Sequence, residues 1–119
     1  MTASDCPVDV ETLDTLRELA DEDTPDFFTD LVESYIADAT RLGRELQEAL
    51  AAEDVERVAR TTHTMKSSSA NIGAGKLAGL CASIESEARS KNSLVGAKEK
   101  ASQVAEELKA VVAYLSTQI

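Results

Sequence analysis

The sequence predicts an all-α fold, an antiparallel up-down four-helix bundle with a short N-terminal lid helix, from three features. Apolar residues recur at helical spacing through long stretches. Only two Pro and five Gly interrupt 119 residues. No stretch shows the apolar-polar alternation of a half-buried strand. An aromatic fraction of 3% with no Trp, inside a 43% hydrophobic composition, leaves Leu, Val, Ile and Ala to build the core, the usual filling between helices. The length suits one domain, residues 1–119, with residues 1–8 expected to be a flexible tail.

Val10, Leu13 and Leu16, at spacing three and preceded by Asp9 as N-cap, predict the lid helix. Thr24-Pro25 predicts the start of the next helix, since Thr caps free amides and Pro fits the first turn. From there Phe28, Leu31, Val32, Tyr35, Ala39, Leu42, Leu46, Ala49 and Leu50 hold one face to residue 51, a rod of about 40 Å. Asp54 is the predicted cap of a third helix. It carries Val55, Val58, Ala59, Thr62, Met65, Ser69 and Ile72 and ends near Gly73-Ala74-Gly75. Leu77, Leu80, Cys81, Ile84 and Ala88 mark a fourth helix that stops in the polar stretch Arg89–Ser93. Ala101, Val104, Ala105, Leu108, Val111, Val112 and Leu115 mark a fifth.

Twelve basic against twenty-two acidic residues give a net charge of -10, which would repel a nucleic-acid backbone. No apolar run approaches the roughly 20 residues of a membrane span. The N-terminus MTASDCPVDVE has neither the basic region nor the apolar stretch of a signal peptide. A monomer in the cytoplasm is the expectation. Cys6 and Cys81 have no metal-ligand spacing and are expected to be reduced thiols, Cys81 as a small core residue.

His63, the single histidine, falls on the third helix about 100° from the apolar centre, so its ring is expected to face solvent. Its stripe neighbours are Ala59, Lys66, Ser67 and Ala70, with Ala74 just beyond; all but Lys66 are small. A ring bordered by short side chains can be approached by another protein's active site. A neutral imidazole offers a nucleophilic nitrogen without a deprotonation step, and Lys66 can offset the charge of a phosphoryl group beside it. Taken alone, such a histidine is more often a solvated surface residue, Lys66 a solvated charge and the serine run a helix-packing contact.

The run His63-Thr64-Met65-Lys66-Ser67-Ser68-Ser69-Ala70-Asn71-Ile72-Gly73-Ala74 closely resembles the histidine-phosphotransfer (HPt) domain signature, H-x-[LM]-K-G-S-S-x-x-[LI]-G-A. The resemblance continues through Leu77, Leu80, Cys81, Ile84, Glu85 and Arg89 and covers the chain from about Val10. It implies a protein that accepts a phosphoryl group on His63, at Nε2, from a receiver-domain aspartate and passes it to another. Lys66 would stabilise phosphohistidine, and Ser67 would let the receiver come close. Glu85 and Arg89 would approach the ring from the next helix; an ordinary i,i+4 surface ion pair is their plainer reading. The family's Gly after the lysine is Ser67 here, which bears on partner choice rather than on carriage.

The implied partners are receiver domains of a hybrid histidine kinase and of response regulators. Mg²⁺ is expected on the receiver, and this chain is expected to need no cofactor or metal of its own. Gly73-Ala74-Gly75 lacks the Gly-Lys-Ser/Thr that completes a P-loop, so ATP-dependent autophosphorylation is not expected. The starting Met and the length favour a free-standing protein over an excised domain. Three other functions compete: a docking module of the same fold that carries no phosphate, a metal-binding bundle enzyme, and a purely structural bundle. Retention of His63 and Lys66 weighs against the first. A single histidine weighs against the second, and the His63–Ala74 register weighs against the third.

Overall fold

The computed structural model describes residues 6–119, which form five helices: α1 (Val10–Glu18), α2 (Phe27–Ala51), α3 (Val55–Ile72), α4 (Gly75–Lys91) and α5 (Val95–Ser116). No strand occurs among the described residues. The four long helices form a closed ring in which α2 packs on α3, α3 on α4, α4 on α5 and α5 back on α2, while α1 lies against α2. Short connections force neighbours to run antiparallel. No helix of the described residues is long and apolar enough to cross a membrane.

Local chemistry sets most boundaries. Asp9 caps α1, its carboxylate accepting from the Glu11 N–H and the Thr12 hydroxyl. Asp54 caps α3 through the Arg57 N–H at 3.1 Å. Gly73 ends α3 at φ 90°, the left-handed geometry that glycine adopts without strain. At the α5 N-terminus the N-cap residue Leu94 offers no side-chain acceptor; the Ser93 hydroxyl accepts from the Val95 N–H at 3.3 Å, and Glu87 of α4 accepts from the Gly96 N–H at 2.7 Å.

Three boundaries differ from the sequence reading. Thr24 does not cap α2: Asp21 accepts from both the Thr24 N–H and its hydroxyl, and Thr24 Oγ1 accepts from the Asp21 N–H. That closed Asp-Thr turn uses up the hydroxyl, so α2 starts at Phe27. The fifth helix begins at Val95, before the apolar series starts at Ala101, because Leu94, Gly96 and Ala97 are already buried against the bundle. Of the expected tail, residues 1–5 lie outside the described residues, but Val8 is 2% exposed in the core and the adjoining Asp9 N–H donates to Gly73 O at 2.9 Å. The tail expectation therefore fails at Val8, whose apolar side chain gains more by burial than by solvation.

Along the α2–α3 seam, Tyr35 and Ser69 share a buried hydroxyl–hydroxyl hydrogen bond of 2.8 Å. Cys81 is fully buried, and desolvation pushes its thiol up to about 12, so it is a packing residue.

Candidate functional site

The α3–α4 packing that buries Met65, Ile84 and Cys81 also sets His63 and Lys66 opposite Glu85. Glu85 is 7% exposed and is the one charged residue in the buried set of described residues. Three basic groups converge on its two oxygens. His63 Nδ1 lies 2.9 Å from Oε2, Arg89 Nε donates to the same Oε2 at 2.9 Å, and Lys66 Nζ donates to Oε1 at 2.6 Å. Burial alone would push the carboxyl up; the hydrogen bonds from Lys66, Arg89 and His63 and the Lys66 charge outweigh it and hold it down to about 2. Glu85 is therefore ionised throughout the physiological range.

An ionised carboxylate only accepts hydrogen bonds, so His63 Nδ1 must carry the proton that points at it. In the neutral ring that leaves the Nε2 lone pair free, and with the side chain 55% exposed this nucleophilic nitrogen is open to solvent. Glu85 fixes both tautomer and ring orientation. The cluster as a whole sets one carboxylate against the two cations Lys66 and Arg89, and so carries a net positive charge on a molecule whose total is -10.

The sequence-predicted residues divide into three groups. His63, Lys66, Glu85 and Arg89 are brought together. The Glu85–Arg89 contact is an i,i+4 pair as the plainer reading has it, but its buried carboxylate also binds the ring, so it is more than a surface pair. Ser67 and Ala70 are exposed beside the ring. Ala59, expected on the same open stripe, and Ala74, expected just beyond it, are 3% and 0% exposed. Ala59 is part of the buried core, α3 being packed against both α2 and α4. Ala74 is the N-cap position of α4, where the tight turn folds it inward. Neither can touch a docking partner.

Two neighbouring hollows were not foreseen. One, of about 250 Å³, lies where α1, α2 and α3 meet and is lined by Leu16, Leu31, Tyr35, Ser68 and Ile72 among others. The other, of about 420 Å³, opens between α2 and α3 and gathers Arg41, Arg57 and Arg60 with Thr61 and Thr64. The first needed the position of α1. The second could have been suspected from Arg57 and Arg60 spaced by one turn, but Arg41 comes from another helix.

A family model described as the Hpt domain matches residues 30–116. The chain belongs to the Hpt domain family. Among solved structures, this Hpt domain is similar to histidine-containing phosphotransfer protein B (HptB) from Pseudomonas aeruginosa PAO1. The TM-score is 0.86 and the identity 28%, over 94% of this chain and 93% of that one. Among curated proteins it is similar to Multistep phosphorelay regulator 1 of Schizosaccharomyces pombe, 32% identical over 78 residues. That match takes in 66% of this chain, which spans about a quarter of the yeast protein's length, 26%. The family match begins at Asp30, so the Hpt domain as matched contains the whole Glu85 cluster but not α1, whose Leu16 lines the apolar hollow.

Proposed function

We propose that this Hpt domain is a phosphorelay carrier that takes a phosphoryl group onto His63 Nε2 from a receiver-domain aspartate and gives it to the aspartate of a second receiver. The observation that carries the reading is the 2.9 Å contact between His63 Nδ1 and the ionised Glu85, which leaves Nε2 as the reactive atom. In the forward step the Nε2 lone pair forms the N–P bond while the P–O bond of the aspartyl phosphate breaks, its electron pair going to the aspartate carboxylate. The Nδ1 proton stays in place. The phosphorylated ring then bears a positive charge, which Glu85 offsets. That same charge makes the imidazole a good leaving group for the next transfer. Lys66 and Arg89, both tied to Glu85 in the unmodified site, are the cations at hand for the phosphoryl oxygens.

The partner supplies the rest. Holding the phosphoryl group in line requires carboxylates and a divalent cation, so Mg²⁺ belongs to the receiver in this reading. Receivers of a hybrid histidine kinase and of response regulators are the proposed partners, met by a cytoplasmic monomer. Their docking would use exposed Ser67 and Ala70 together with the apolar hollow at Leu16, Leu31 and Ile72. ATP is not a phosphoryl source in this scheme.

Mixing the protein with a panel of phosphorylated receivers tests the proposal. Wild type should acquire acid-labile, base-stable phosphate. His63→Gln, which removes the only histidine, should acquire none, and a labelled variant would sink the reading.

A further inference from the structure

Two groups of cations flank His63, and only one of them is engaged by Glu85. On the α4 side Lys66 and Arg89 share that carboxylate. On the α2 side, Arg41, Arg57 and Arg60 line the polar hollow of about 420 Å³, whose lining also includes Thr64, the residue next to His63. Arg60 is exposed, lies one helical turn before His63 and makes no ion pair among the described residues. Arg57 meets Glu48 at 3.7 Å, and Arg41 lies between Glu45 at 2.9 Å and Asp38 at 3.9 Å. Glu45 is the sole carboxylate in that lining. The hollow thus concentrates three of the chain's twelve basic residues and one of its twenty-two acidic ones. Asp38, Glu45 and Glu48 pair with Arg41 and Arg57, which leaves Arg60 as the guanidinium of this hollow without an ion pair among the described residues, on a molecule of net charge -10.

Nothing in the chemistry at Nε2 calls for these guanidiniums, since the Glu85 cluster already supplies cations on the ring's other side. Recognition remains. Resting on the carrier reading above, we propose that Arg60, backed by Arg57 and Arg41, is the specificity-determining residue that selects receivers with acidic side chains at the rim of their phosphorylation pocket. A receiver must bring clustered carboxylates to the reaction to hold its cation, so the surface that meets His63 is acidic at its centre. A rim that continues this sign would meet, on the α2 side of the ring, Arg60 without an ion pair among the described residues, whereas Arg89 on the α4 side is already held by Glu85. Planar guanidiniums bind carboxylates in paired hydrogen bonds, and an unpaired one loses no internal partner on docking. The hollow would guide the encounter and set register, while the cluster around Glu85 serves the transfer.

The test is the dependence of the initial transfer rate on receiver concentration, using the phosphorylated receiver that labels wild type most efficiently. Arg60→Glu should raise the half-saturating receiver concentration about tenfold and flatten its salt dependence. The rate at saturation and the hydrolytic half-life of phosphorylated His63 should stay as in wild type, and Arg60→Lys should recover most of the loss. A thermal melt checks the fold; if Arg60→Glu is destabilised, Arg60→Gln carries the same comparison with a smaller expected rise. Should both variants saturate as wild type does, or should the loss fall on the saturated rate, the inference is overturned while the carrier reading stands. Label on His63→Gln would instead overturn the carrier reading itself.

Discussion

Glu85 serves three basic groups with two oxygens, so its loss should be felt in more than one way. Its carboxyl is held down to about 2 from an ordinary value of 4.5. A depressed folded-state pKa contributes stability that is fully present above the unfolded value and is lost as pH falls through the folded one. Wild type should therefore lose stability between about pH 4.5 and pH 2 relative to Glu85→Gln, by on the order of 1 kcal/mol once solvent screens the partly exposed cations. Urea melts across that window give the answer, and parallel pH profiles of the two proteins would contradict it. Lys66 is bound to this carboxylate in the resting site, so Lys66→Ala should slow transfer roughly tenfold while barely changing the melt. An unchanged rate, together with an unchanged half-life of phosphorylated His63, would reduce Lys66 to a solvated charge. The sequence carried His63, Lys66 and Ser67 plainly, because helical spacing fixes which neighbours share a face. Burial of Glu85 and of Ala59 depends on where the neighbouring helices lie across α3, and no single-helix wheel contains that information.

At the level of elements, the α3–α4 turn is the joint that registers His63 against Glu85. Gly73 sits there at φ 90°, and a Cβ would lie 3.0 Å from Thr12 Cβ and 3.3 Å from the Asp9 backbone. Gly73→Ala should thus cost about 1–2 kcal/mol for the left-handed backbone, plus the displacement of the α1 start, and denaturant titration would read it. A cost near zero would mean that the turn relaxes freely. The docking face gives a contrasting pair of expectations. Ser67→Arg and Ala70→Trp, at exposed positions, should hinder transfer without changing the melt. Ala74→Leu should do the reverse first, overpacking a fully buried site at about 1–3 kcal/mol. If Ser67→Arg and Ala70→Trp both leave transfer intact with every receiver that labels wild type, the docking face lies elsewhere. Helix existence was legible throughout from apolar spacing, and the Asp9, Asp54 and Gly73 boundaries from capping chemistry. Thr24-Pro25 misled because Asp21, three residues earlier, offers the Thr hydroxyl a closer partner than the helix amides.

Across the whole molecule, the ring of four helices provides rigid support and α1 closes one end, with Arg17 joining the lid to the far end of the chain through Gln118 and stacking 4.7 Å over Phe28. Charge is distributed on the same scale. A total of -10 surrounds one positive cluster at Glu85 and one guanidinium hollow, both beside the single histidine. Partner association should consequently weaken as salt rises, since separated surface charges are screened beyond about 8 Å at physiological ionic strength. The central claim concerns one atom: Glu85 holds the Nδ1 proton so that Nε2 receives the phosphoryl group. Phosphorylating ¹⁵N-histidine-labelled protein from a receiver and recording ¹⁵N–³¹P couplings by NMR tests it most directly. Phosphorus bonded to Nε2, with Nδ1 still protonated, is the predicted result; phosphorus on Nδ1, or on any residue other than His63, would contradict it.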